Sequence, residues 1–147
     1  MKRLLVIEDG TEYVEFARLF LGGDFAVRAA TSAAEALATL AAEGADALLI
    51  DLRFDRAPAE ALAGDLDDTA RRLFAGDRER ALRYLQDHQG TFILAALRAA
   101  GHRQPAVFVH DFAPRRLENL RRLYGAVDAV PGFDAAALRR ALGGGAP

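Results

Sequence analysis

The chain is expected to form an α/β protein built on a doubly wound parallel sheet, and three observations carry that expectation. Five short apolar runs alternate with helical patterns, the order that produces a parallel sheet covered by helices. The clearest runs, Leu4-Leu5-Val6-Ile7 and Leu48-Leu49-Ile50, are apolar throughout, as strands buried on both faces are. Both stop at acids, Glu8 and Asp9 after the first and Asp51 after the second. Strand carboxyl ends form the edge at which open α/β sheets bind ligands.

The elements follow in order. Strand one is Arg3 to Ile7, and a helix runs from about Thr11 to Leu21, with Val14, Phe16, Ala17, Phe20 and Leu21 as its apolar stripe. Gly22-Gly23 ends it. Phe25 to Ala30 is a weaker strand, expected at the sheet edge. Thr31 or Ser32 caps the next helix, with Glu35 placed for a capping box. That helix reaches about Glu43, Gly44 closes it, and Ala45 to Ile50 is strand three. Pro105 introduces a fourth strand, Ala106 to Val109. Pro114 suits the first turn of a helix to Tyr124, with Leu117, Leu120 and Leu123 expected to be buried. Ala126 to Val130 is the fifth strand, Asp134 caps a last helix to Leu142, and a disordered tail is expected at about 143–147.

An insertion at about 53–89 interrupts this alternation. Arg53 to Gly64 reads as loop, or as loop with one helical turn after Pro58. Leu66 to Phe74 reads as a short helix, since Leu66, Ala70, Leu73 and Phe74 share a face, and Gly76 breaks it. Asp77 then caps a single helical pattern through Leu82, Leu85, Gln89, Phe92, Ile93, Ala96 and Leu97 to Ala100. Gly90 within it costs about 1 kcal/mol relative to alanine. In a helix beginning at Asp77 about thirteen residues precede Gly90 and project roughly 20 Å beyond the sheet edge that carries Asp51. Leu62, Leu66, Leu73 and Phe74 are expected to fold back over Leu82 and Leu85 as a helical hairpin that overhangs Asp51, limits access to it and presents a partner or dimer surface, with a mobile loop as the plain alternative.

At 147 residues the chain fits one domain with one core. Its apolar fraction of 52% excludes disorder, and no apolar run is long enough to span a bilayer. The start, Met1-Lys2-Arg3, four apolar residues and then acids, is not a signal peptide. Without cysteine there are no disulfides or thiolate metal sites, which fits a cytoplasmic setting. A net charge of −2 gives no case for nucleic acid as a partner. Lys2 is the only lysine.

The acids set the chemistry. If strands one and three are neighbours, Glu8, Asp9 and Asp51 converge, and such a nest calls for a cation. All-oxygen ligands suit Mg²⁺, which points to phosphoryl chemistry. A helix cap is the plain alternative for Asp9 taken alone. There is no Gly-x-Gly-x-x-Gly and no phosphate loop, and Ser32, the only serine, reads as a cap. Arg115, Arg116, Arg121 and Arg122 read as a solvated basic face, with a dimer or effector surface as the alternative.

Leu4-Leu5-Val6-Ile7-Glu8-Asp9, Leu48-Leu49-Ile50-Asp51, Gly90 through Arg98, Pro105 through Val109 and Gly125-Ala126-Val127-Asp128 resemble, in that order, segments of response-regulator receiver domains. The resemblance implies a flavodoxin-like five-stranded sheet of order 2-1-3-4-5, with the insertion between strand three and helix three. It also implies signalling in a two-component phosphorelay. Asp51 would be the phosphoacceptor, and Glu8, Asp9 and Asp51 would hold Mg²⁺. The partners would be a histidine kinase or phosphotransfer protein, an effector, or a second copy of the chain.

Half of the family's site is altered. His110 stands where the family has Thr or Ser, Pro131 or Gly132 where it has lysine, and Ala129 where it usually has an aromatic residue. His110 reads either as a phosphoryl contact or as a polar residue paired with Asp111 or a backbone carbonyl. The expectation is a slow phosphoacceptor, with a phosphate-independent pseudo-receiver as the alternative. A phosphohydrolase using Asp51 is disfavoured because Arg53 occupies the position of that class's second aspartate. His110-Asp111 also resembles the metal motif of HD phosphohydrolases, but only His88 and His102 remain as further histidines.

Overall fold

The computed structural model describes residues 1–143; most of the expected tail lies outside the described residues. Five parallel strands, β1 (Lys2–Ile7), β2 (Phe25–Ala30), β3 (Ala47–Ile50), β4 (Ala106–Val109) and β5 (Val127–Val130), form one sheet in the order β2-β1-β3-β4-β5. In register, Ile7 pairs with Ile50 and Ile50 with Phe108, so Glu8 and Asp51 leave the sheet side by side, level with Val109 at the end of β4.

The sheet buries both faces, as the apolar runs required. On one, Leu5, Ile7, Leu48, Ile50 and Phe108 meet residues of α2 (Ala33–Ala42), α5 (Gln89–Ala99) and α6 (Pro114–Tyr124). On the other, Leu4, Val6, Leu49 and Val107 meet α1 (Glu12–Phe20) and α7 (Ala135–Ala141). Ser32 caps α2, its hydroxyl accepting from the Glu35 N–H at 3.1 Å while the Glu35 carboxylate accepts from the Thr31 N–H. This is the expected capping box shifted by one residue. Asp134 caps α7 in the same manner.

Two apolar stripes differ from expectation. Leu123 is 68% exposed, because Leu117, Leu120 and Tyr124 take the core-facing row of α6; Tyr124, four residues after Leu120, faces the sheet, and Leu123 faces away. On α1, Val14 and Ala17 are buried but Phe20 is 54% exposed. Phe16 packs between Phe20 and Phe133, at 4.9 and 4.7 Å between ring centroids.

The insertion holds a turn at Ala59–Ala61 after Pro58, then α3 (Leu66–Leu73) and α4 (Arg78–Asp87). Asp65 and Asp77 cap them, and the two helices pack together as the expected hairpin. The long helix from Asp77 to Ala100 does not form. It breaks at His88 (φ −117°, ψ 15°) into α4 and α5. The break is an exchange of backbone hydrogen bonds. Gly90 N–H, which an unbroken helix would direct to Gln86, donates instead to the Leu52 carbonyl at 2.9 Å. The Gln86 carbonyl accepts from Phe54 N–H, also at 2.9 Å. The chain leaving β3 thus enters the helical ladder, and Phe54 becomes a core residue.

The cover of the hairpin also differs. Leu73 is 58% exposed and shields nothing. Leu85 is buried instead beside the segment around Gly64. The Gln89 side chain, itself buried, holds that segment by exchanging hydrogen bonds with Ala63 N–H (2.6 Å) and the Ala63 carbonyl (3.0 Å).

Candidate functional site

In a sheet of order 2-1-3-4-5 the chain reverses its direction of winding between β1 and β3, and the crevice at their carboxyl ends is where such folds bind ligands. Glu8 and Asp9 leave β1 there, and Asp51 leaves β3.

The three acids have different surroundings. Glu8 is 1% exposed and accepts from the N–H groups of Tyr13 (3.0 Å) and Val14 (2.8 Å) in the first turn of α1. Burial pushes its pKa up, and those two N–H groups oppose the shift. Glu8 therefore anchors α1 to the sheet edge. Asp9 accepts from Arg56 N–H at 2.7 Å, and the Arg56 guanidinium pairs with Glu12 at 3.1 Å. The side chains of Arg56 and Glu12 also fill the space beside Gly10. The insertion therefore reaches the acids through its first loop, where Arg53 and Arg56 supply the hydrogen bonds, rather than through the α3–α4 hairpin.

Asp51 accepts from Arg53 N–H at 3.3 Å. Its pKa is pushed up to about 6, chiefly by burial and further by Asp9 and Glu8, against the Arg53 N–H and the Tyr13 hydroxyl. Tyr13 comes from α1, with its hydroxyl 3.5 Å from the Val109 carbonyl oxygen. Its own pKa is raised by burial and by Asp51.

A raised carboxyl pKa has a defined consequence for stability. Between the unfolded value, 3.8, and about 6, folded Asp51 keeps a proton that the unfolded chain has released. Stability is therefore lost as pH rises through that window. A displacement of this size corresponds to about 2–3 kcal/mol. Asp51→Asn is expected to be more stable than the parent by about 2 kcal/mol at pH 8 and equal to it near pH 4. Urea unfolding in metal-free buffer measures this; equal stabilities at pH 8 would show that Asp51 is not under strain.

Among the described residues no three His, Asp or Glu side chains are placed to hold a metal ion together. Of the expected Glu8, Asp9 and Asp51 ligand set, the Glu8 carboxylate is engaged by the two N–H groups of α1. The HD-type alternative likewise has no ligand cluster. Asp9 and Asp51 each give one oxygen to a backbone N–H, Oδ2 and Oδ1 respectively. Two carboxylates fit Mg²⁺, which is commonly held by one or two with several waters retained.

His110 follows β4 with its backbone N–H on the Val130 carbonyl at 2.9 Å. Its ring lies edge-on to Phe112 at 4.6 Å and is not ion-paired with Asp111 among the described residues. Pro131 and Gly132 occupy the end of β5. Lys2 is bound to the Gly143 carbonyl at 2.6 Å, away from the acids. Sequence reading missed Tyr13 and Arg56, and it named Arg116 and His88 without placing them together. Tyr13 had one signal, its place a helical turn after the acidic pair.

No family model and no curated protein matches the chain. Solved structures do. A response regulator receiver domain protein from Clostridium thermocellum is 13% identical, with 97% of this chain and 92% of that chain covered and a TM-score of 0.63. The Francisella response regulator 1452 receiver domain is 16% identical, covering 97% and 94%, with a TM-score of 0.61. Against NtrX from Brucella abortus (16% identity, TM-score 0.62), 97% of this chain spans only 27% of that longer chain. With its strand order, its helices on both faces and its acids at the β1 and β3 ends, the chain has the fold of the response-regulator receiver domains.

Proposed function

We propose that the protein is a signalling receiver that accepts a phosphoryl group on Asp51 from a histidine kinase or phosphotransfer protein, and acts through protein contacts with an effector or a second copy. The observation that carries this reading is the position of Asp51. It is a half-buried carboxylate at the β1–β3 switch point, raised in pKa by its own burial and by Asp9 and Glu8. An Asp51 oxygen bonds to phosphorus as the donor's P–N or P–O bond breaks, and the leaving group takes the released electron pair. Mg²⁺ bound by Asp9 and Asp51 would offset the charge of both reactants. Glu8 holds the edge of α1, and Tyr13 donates toward Asp51. No helix among the described residues is long and apolar enough to cross a membrane.

Incubation with acetyl phosphate and Mg²⁺, followed by intact-mass measurement, tests the proposal. Slow addition of one phosphoryl group is expected, lost in Asp51→Asn and in the absence of metal. Labelling that persists in Asp51→Asn overturns it. Absence of any labelling would favour the second reading, a phosphate-independent pseudo-receiver. The contacts of Arg56 over Asp9 and the replacement of lysine by Pro131-Gly132 support that reading.

A further inference from the structure

Four nitrogen-bearing side chains from four separate segments gather near one another past the carboxyl ends of β3 and β4. Arg53 lies two residues beyond Asp51. His88 stands at the α4–α5 break, two residues from Gly90, whose N–H is bound to the Leu52 carbonyl. His110 leaves β4 next to Val109, the residue level with Asp51 in the sheet register. Arg116, in the first turn of α6, places its Nη2 3.3 Å from His88 Nδ1 and its guanidinium over the Phe112 ring at 5.6 Å. Phe112 is the ring against which His110 also packs.

Among the described residues, none of the four is held in an ion pair with a carboxylate. His88, His110 and Arg116 are half-buried. Burial, then Arg116 and Arg53, lowers the pKa of His88 against Asp87, and burial, Arg53 and Arg116 lower that of His110 against Asp111. Gathering these groups without a counter-ion is unfavourable in the unliganded protein. It becomes favourable when a multiply charged anion enters, and the planar guanidinium fork matches phosphate oxygens.

We propose that Arg53, His88, His110 and Arg116 form a binding site for a phosphoryl dianion. Resting on the reading of Asp51 as phosphoacceptor, the site would hold the group carried there and supply the positive charge that the end of β5 lacks. The charge comes from the α5–α6 side of the sheet, because the chain has no lysine to place after β5.

Titration of the full chain with inorganic phosphate in metal-free buffer, followed through the imidazole resonances of its three histidines, tests the site. His88 and His110 are expected to shift together and saturably, with His102 as the unaffected control. Arg116→Ala should weaken binding about tenfold, as loss of a charge-assisted contact does; Arg116→Lys should restore part of it, and the exposed Arg122→Ala none of the loss. No saturable shift in the parent protein, or equal shifts at His102, overturns the proposal. Labelling with acetyl phosphate and Mg²⁺ separates it from the reading beneath it. Phosphate binding without Asp51 labelling keeps the site and removes the phosphoacceptor. Equal labelling and equal acyl-phosphate lifetime in the parent and an Arg53→Ala/Arg116→Ala variant remove the site and keep the phosphoacceptor.

Discussion

Gly90→Ala is expected to destabilise the protein by about 3 kcal/mol or more and to displace the phosphoacceptor with it. A Cβ at this position would lie 2.9 Å from the Phe108 ring, 3.0 Å from Leu52 Cα and hard against the Asp51 carbonyl oxygen. Two of these neighbours are backbone, so no rotamer change relieves the clash. The strand exit itself must move, and with it the hydrogen bond from Gly90 N–H to the Leu52 carbonyl. Gly132→Ala is the control: nothing lies within 4 Å of its added methyl, and it should cost less than about 0.5 kcal/mol. Urea unfolding measures both. A Gly90→Ala protein as stable as the Gly132→Ala control would mean that helix α5 does not seat on the Asp51 backbone.

Arg98→Ala should cost a similar amount, about 3 kcal/mol, which in a domain of this size lowers Tm by roughly 6–12 °C. Arg98 is 4% exposed, and its guanidinium donates to the carbonyls of Tyr124 (2.8 Å), His102 (2.9 Å) and Ala126 (3.0 Å). It ties the end of α5 to the turn between α6 and β5. Burial lowers its pKa, yet a guanidinium remains charged at any working pH. Truncation leaves three carbonyls without their donor and a void where the side chain lay. Arg98→Lys should recover only part of the loss, because a single ammonium cannot fork to three acceptors in three directions. A loss below about 1 kcal/mol for Arg98→Ala would show that water replaces the guanidinium at no cost.

Local pattern made most of the sheet legible. Runs such as Leu4 to Ile7 and Leu48 to Ile50 can only be buried on both faces, and Ser32, Asp77 and Asp134 cap the helices they precede. The acids at the ends of β1 and β3 were legible for the same reason: strand ends are local features, and the fold brings those two ends together. The stripes of α1 and α6 were only half legible, because one face of a helix can be read from spacing but not how wide a strip its neighbours cover. Phe20 and Leu123 lie just outside that strip.

What periodicity cannot contain is competition between distant backbone groups. The pattern from Asp77 to Ala100 is helical throughout, yet the carbonyl and N–H of one turn, at Gln86 and Gly90, are taken by Phe54 and Leu52, more than thirty residues earlier in the chain. That exchange breaks the helix at His88 and turns Gly90 from a weak point in a helix into the only residue able to seat against Asp51. It also brings His88 to Arg116. The sequence by itself determined the strands, the caps and the acids, since each depends on neighbours along the chain. The tertiary structure alone decided what each acid is bonded to, where the helix breaks and which arginine meets His88, since each depends on a hydrogen bond or charge supplied from another segment.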